Sequence, residues 1–187
     1  MRAARIAAVV LFIVGLAAYS AWLLEFVVST GLSSLESPAE DLLGADPVFR
    51  VARGVAGLAF VLSGPPLMRL APVHWTGRLS AISVCLFGFL MLADAARPGT
   101  RAVDVAANLV FVMGALSLVL WWPPRWREWA VGGLALVLVT WALVFVAGLL
   151  GPGHLEGLFT RAQLVVRTVL LAVGVTYVVV MPVPRRL

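Results

Sequence analysis

The sequence predicts an all-α membrane protein, a bundle of six transmembrane helices with both termini in the cytoplasm. Three observations carry this expectation. Of the 187 residues, 62% are apolar and only 12% charged, far from the balance of soluble domains, in which about 25% of residues are charged. The apolar residues fall into six stretches, each about as long as the roughly 20 residues needed to cross a bilayer. The fourteen basic residues are all arginine, and they sort by side of those stretches. One side holds Arg2, Arg5, Arg69, Arg78, Arg125, Arg127, Arg185 and Arg186 with a single acid, Glu128. The other side carries the remaining six arginines and eight acids. Arginine excess in short loops marks the cytoplasmic face. Six helices and short connections consume the chain, so a single integral domain, 1–187, is expected.

The first span covers about 6–28, behind Arg2 and Arg5. Ala18-Tyr19-Ser20 has the small residues of a signal-peptidase site, but the apolar run continues to Val28, so an uncleaved first helix is expected. An outer loop, 29–47, follows. Within it, Ser37-Pro38-Ala39-Glu40 combines a capping serine, a proline at the first helical position and a glutamate two residues later, predicting a short surface helix that ends at Gly44. Asp46-Pro47 repeats the start signal for the second span, about 48–68, and Pro65-Pro66 bends or ends it.

The third span covers about 76–93 and the fourth about 101–122, separated by Pro98-Gly99. Trp121, Trp122, Trp126 and Trp129, around Arg125, have the composition of an aromatic belt at a membrane interface. The fifth span covers about 129–150. Thr160-Arg161-Ala162-Gln163 reads as a second capping box that opens the sixth, about 161–181. No internal repeat is evident. The absence of lysine beside abundant Ala, Val, Gly and Arg points to a GC-rich bacterial genome, and hence to a bacterial plasma membrane.

Polar residues converge at the outer ends of these spans. Glu25 ends the first, Arg50 and Arg53 open the second, and Asp94 ends the third. Arg101, Asp104 and Asn108 open the fourth, while Gln163 and Arg167 lie early in the sixth. Residues three or four apart share a helical face, so these form polar stripes that are hidden from lipid only if they point inward. Arg167 lies about 10 Å below Thr160 at 1.5 Å per residue. An arginine at mid-bilayer costs about 2.5 to 3.5 kcal/mol, so it needs a partner, for which Asp104 and Glu25 are candidates. Arg53, Arg101 and Arg167, with Arg50 at the rim, outnumber the nearby acids. That surplus predicts a spare bidentate donor for phosphate or carboxylate, such as an anionic lipid headgroup or a partner's membrane segment. The alternative is that the acids simply lock helices together.

Other chemistries have less behind them. His154 with Asp104 is a candidate acid–base pair for an intramembrane hydrolase or transferase acting on outer-leaflet lipid, although no nucleophile stands at fixed spacing from it. A small-solute transporter would need a discontinuous helix near mid-membrane. Two histidines on opposite sides and the lone Cys85 in an apolar stretch offer no metal set, and no cofactor motif is present. The net charge of +5 is spread over many loops rather than along one stripe, which excludes a nucleic-acid footprint.

Leu32-Ser33-Ser34-Leu35, then Asp46-Pro47-Val48-Phe49-Arg50 and the apolar helix with Gly54 and Gly57, resemble the bacterial and archaeal domain-of-unknown-function 998 family. Leu92-Ala93-Asp94 before Arg97-Pro98 is similar to it as well. The likeness covers about the first 120 residues. It implies a multi-pass membrane protein and no established activity. That family often has histidine at the start of the fourth span, where this chain has Asp104.

Overall fold

A computed structural model of the chain describes residues 2–72, 74–150 and 155–181. Among the described residues there are seven α-helices and two 3-10 segments and no strand. Helix α1, Arg2–Tyr19, continues as a 3-10 helix over Ser20–Phe26. In the loop a 3-10 turn at Ala39–Asp41 leads into α2, Leu42–Ala45. The long helices α3, Pro47–Leu70, α4, Trp75–Ala96, α5, Arg101–Trp121, α6, Pro124–Leu150, and α7, Glu156–Val180, complete the chain. With α1 and its extension, six helices are long and apolar enough to cross a membrane. They pack as a ring in chain order, α1 against α3, α3 against α4 and so on, and α7 closes on α1. The acid-bearing ends lie together at one end of the ring and the arginine-rich loops at the other, here called the acidic and basic ends.

Local signals explain most helix boundaries. The Asp46 side chain accepts from Val48 N at 2.8 Å, and Pro47 stands at the first position of α3, a combination that satisfies one orphan amide and removes another. Pro65 and Pro66 lie inside α3 without ending it. Pro65 has no N–H to offer Val61 O, the carbonyl four residues back, and Cys85 Sγ, 3.8 Å from that oxygen, stands in as a weak donor. Cys85 therefore does more than fill space. Pro124 opens α6 five residues before the expected start of that span.

Three local expectations are corrected. Helix α7 begins at Glu156, one turn before the expected capping box. Thr160 lies inside the helix, its Oγ1 donating to Gly157 O at 3.0 Å, and the Gln163 side chain turns to another helix. Ser37 makes no cap, and the helical piece after it is tucked in rather than superficial, with Ala39, Leu42 and Leu43 buried. The tryptophan belt is also partly core. Trp122 is 1% exposed and clusters with Trp121, Trp126 and Tyr177, leaving Trp129 facing outward at 63%.

Helices α3 and α4 meet most closely. A Cβ on Gly57 would lie 2.8 Å from Gly88 O, and one on Gly88 would lie 2.6 Å from Gly57 O. Lipid supplies no hydrophobic drive between helices, so small residues that allow backbone approach hold such pairs. Inside the ring, Phe12, Phe60, Tyr19, Phe87 and Phe111 form a chain of rings with centroids 5.3 to 6.5 Å apart. Replacement Gly88→Val should overpack the α3 and α4 contact by about 1 to 3 kcal/mol and lower the thermal midpoint in detergent. Gly132→Leu on α6, where a Cβ meets nothing within 4 Å, should leave it unchanged.

Candidate functional site

The polar residues at the acidic end divide into two groups. In the first, the 3-10 extension of α1 carries Glu25 to Arg161 on α7. The pair is bidentate, with Arg161 Nε and Nη2 each 2.6 Å from a carboxylate oxygen. Both side chains are nearly inaccessible, at 7% and 3%. Arg161 Nη1 also donates to Ser37 O at 2.8 Å and Gly157 O at 2.9 Å. The loop approaches closely because position 157 is glycine, where a Cβ would lie 2.6 Å from Ser37 O. Leu158 N donates to Leu35 O, and Ala39 N to Thr160 Oγ1. The loop is thereby tied to the start of α7.

The second group surrounds a chamber of about 30 Å³ between α3, α4, α5, α7 and the loop. Arg53 Nε lies 3.3 Å from Asp94 Oδ2, and its guanidinium lies 5.9 Å from the Tyr19 ring centroid. Arg167 donates to Asn108 Oδ1 and lies 5.6 Å from the Phe111 centroid. Gln163 Nε2 donates to the same oxygen at 2.8 Å, while Asn108 Nδ2 donates to Asp104 O at 2.9 Å. Asp104 and the loop residue Glu40 also line the chamber, and neither forms an ion pair with a described residue. Asp94 Oδ1 and Arg167 Nε are buried without a hydrogen-bond partner among the described residues.

Five of the sequence candidates, Arg53, Asp94, Asp104, Asn108 and Gln163, thus meet in the chamber with a sixth, Arg167. Three do not. Glu25 is held by Arg161 rather than by Arg167, whose partner is Asn108. Arg50 is exposed and donates to Ala95 O and Ala96 O at 2.6 and 3.0 Å, capping the last turn of α4, where a cation also complements the helix dipole. Arg101 is exposed at the first position of α5, outside the chamber lining. His154 lies outside the described residues.

The expected surplus of arginine is therefore overturned. The chamber wall carries two guanidinium groups, Arg53 and Arg167, against three carboxylates, Glu40, Asp94 and Asp104. Sequence reasoning missed Arg161, Glu40 and Thr160. The signal for Arg161 was present in Gly157, one turn earlier on the same face, a small residue beside a long cation. Reading Thr160 as a cap moved that face outside the helix. Among the described residues, no group of three or more His, Cys, Asp or Glu side chains is placed to hold a metal ion. Among the described residues, the change from α-helix to 3-10 helix in the first span falls at Ser20, near its acidic end.

In comparisons with known proteins, the chain matches no family model, no curated protein and no solved structure.

Arg161→Ala should leave Glu25 buried and uncompensated, at a cost of about 3 to 5 kcal/mol, visible as a lower thermal midpoint. Arg161→Lys should recover little of this, because an ammonium cannot reproduce the two-pronged geometry. The double replacement Glu25→Gln with Arg161→Ala should be less destabilised than the sum of its two single replacements, measured as a double-mutant coupling.

Proposed function

We propose that this protein is a lipid-handling or lipid-sensing membrane protein that receives the head of a phospholipid bearing a primary amine at its acidic end, with that end outside the cell and both termini in the cytoplasm. The observation that carries the reading is the charge inventory of the chamber. Three carboxylates face two guanidinium groups in a space of about 30 Å³, more than the roughly 10–15 Å³ that one water needs in such a cavity and enough for an ammonium group. One cationic group balances the formal charge of that wall. Its three N–H donors match Asp104 and Glu40, which form no ion pair with described residues, and Asp94 Oδ1, which has no hydrogen-bond partner among them.

The phosphate of such a head has the same sign as the surplus carboxylate of the wall and stays at the rim. Arg101, exposed at the first position of α5 one turn before the lining residue Asp104, is the cation proposed to receive it, where the amides of a helix N-terminus favour an anion. The arginine contact expected from the sequence is kept in this reading, moved from the chamber to its edge. The resemblance to the domain-of-unknown-function 998 family agrees with a multi-pass membrane protein and adds no activity. The arginine count on the basic end supports the cytoplasmic placement of both termini.

The test is retention of lipid by protein reconstituted with an equal mixture of phosphatidylethanolamine and phosphatidylglycerol, then purified and analysed by mass spectrometry. Wild type should retain phosphatidylethanolamine selectively. Asp104→Asn should abolish the selectivity, and Arg101→Ala should weaken retention of both lipids. Preferential retention of phosphatidylglycerol, or selectivity unchanged in Asp104→Asn, would falsify the amine contact.

A further inference from the structure

A second chamber lies on the axis of the ring, toward the basic end, and has about four times the volume of the first, about 120 Å³. Its wall is built from α1, α3, α4, α5 and α7 and is almost entirely apolar. It begins at the aromatic rings of Phe12, Phe87 and Phe111 and reaches Ala71, Trp122 and Met181, which follow the last residues of α3, α5 and α7. From Phe111 to Trp121 is ten residues of helix, about 15 Å at 1.5 Å per residue. A volume of that size spread over such a length is one hydrocarbon chain wide. Phe87 lines both chambers, so the aromatic chain separates them.

The shape of the second chamber depends on missing side chains. Gly114 faces Ser83, and Gly174 on α7 has nothing within 4 Å of where its Cβ would stand. Apolar lining alone does not select a ligand in a bilayer, because the surrounding lipid tails are equally apolar. Selection has to come from shape and from the charge at the mouth. The Arg5 guanidinium donates to Met181 O, which places it at that mouth. Arg78 follows the lining residue Gly77 and is exposed. None of the described arginines at this end forms an ion pair with a described acid, and Glu128 is the one acid there. Such a rim attracts anions.

We infer that this chamber takes the hydrocarbon chain of a single-chain amphiphile whose anionic head, a carboxylate or phosphate, rests among Arg5 and Arg78 at the basic end. The inference does not depend on the amine site, which lies beyond the aromatic chain and takes a head of opposite charge.

The experiment uses the full chain in phosphatidylcholine nanodiscs, photolabelled with a diazirine-bearing long-chain fatty acid or with its methyl ester, and the adducts are mapped by peptide mass spectrometry. The acid should label lining residues such as Val84, Val110 and Leu171, and excess unlabelled fatty acid should remove that labelling. Gly174→Leu, which fills the chamber, should reduce it at least about tenfold, whereas Gly132→Leu on α6 should not. Arg5→Gln with Arg78→Gln should reduce labelling by the acid and leave the ester unaffected, and a long-chain alkyl phosphate should compete as well as the acid. Adducts confined to outward-facing side chains of α6 such as Phe145, or labelling indifferent to competitor and to Gly174→Leu, would overturn the inference for the chain. Equal labelling by acid and ester would overturn it for the head.

Discussion

The acidic end of the molecule depends on one buried ion pair. Glu25 and Arg161 are 136 residues apart, and their two short hydrogen bonds join the extension of α1, the loop and the start of α7. Burial of two charges is expensive, and their attraction repays it only when the remaining donors are also satisfied. Arg161 meets that condition through Ser37 O and Gly157 O. The loop is therefore not a free connection. Its position over the ring follows from a guanidinium that needs backbone carbonyls, and Glu40, carried by that loop, is brought to the chamber as a result.

The same logic governs the two arginines inside the ring. An arginine at bilayer depth needs either water or a partner. Arg53 has a carboxylate and the face of Tyr19, and Arg167 has an amide oxygen and the face of Phe111. A cation over a ring face gains about 0.5 to 2 kcal/mol, more when desolvated. The aromatic chain thus serves both chambers. Its upper edges hold the cations of the polar chamber, and its body forms the end wall of the apolar one.

The architecture was legible in the sequence because it rests on composition and length, which need no knowledge of partners. Six apolar stretches became six helices, and the Asp46 cap stands where its sequence places it. The convergence of Arg53, Asp94, Asp104, Asn108, Gln163 and Arg167 was legible too, since helical spacing and depth are local properties. What could not be read was pairing. Arg50 looks like a member of the cluster by spacing, yet the unsatisfied carbonyls at the end of α4 claim it. Arg161 looks like a helix boundary, yet it makes the most buried ion pair. Tryptophans at an interface position face inward wherever a neighbouring helix offers Tyr177 to pack against. In each case a tertiary partner decided between local alternatives of similar energy.

The arrangement of charge along the axis has a consequence for what the bundle is able to hold. A surplus of carboxylate lies above the aromatic chain, and the opposite end carries the arginine-rich loops, with Arg5 on Met181 O. No head of a single charge suits both ends. Phe87 and Phe111, whose centroids are 5.3 Å apart in an edge-to-face contact, stand between the chambers. Phe111 lies beneath Arg167, and Tyr19 beneath Arg53 is packed against Phe87. Opening the partition therefore disturbs both buried cations at once, and whatever occupies the polar chamber and compensates its wall bears on the same rings that close the apolar one. The two chambers thus share the aromatic chain as their common wall. If both proposed ligands bind and one displaces a shared ring, reciprocity is a thermodynamic necessity: the chain then alters affinity for the head by the same factor as the head alters affinity for the chain.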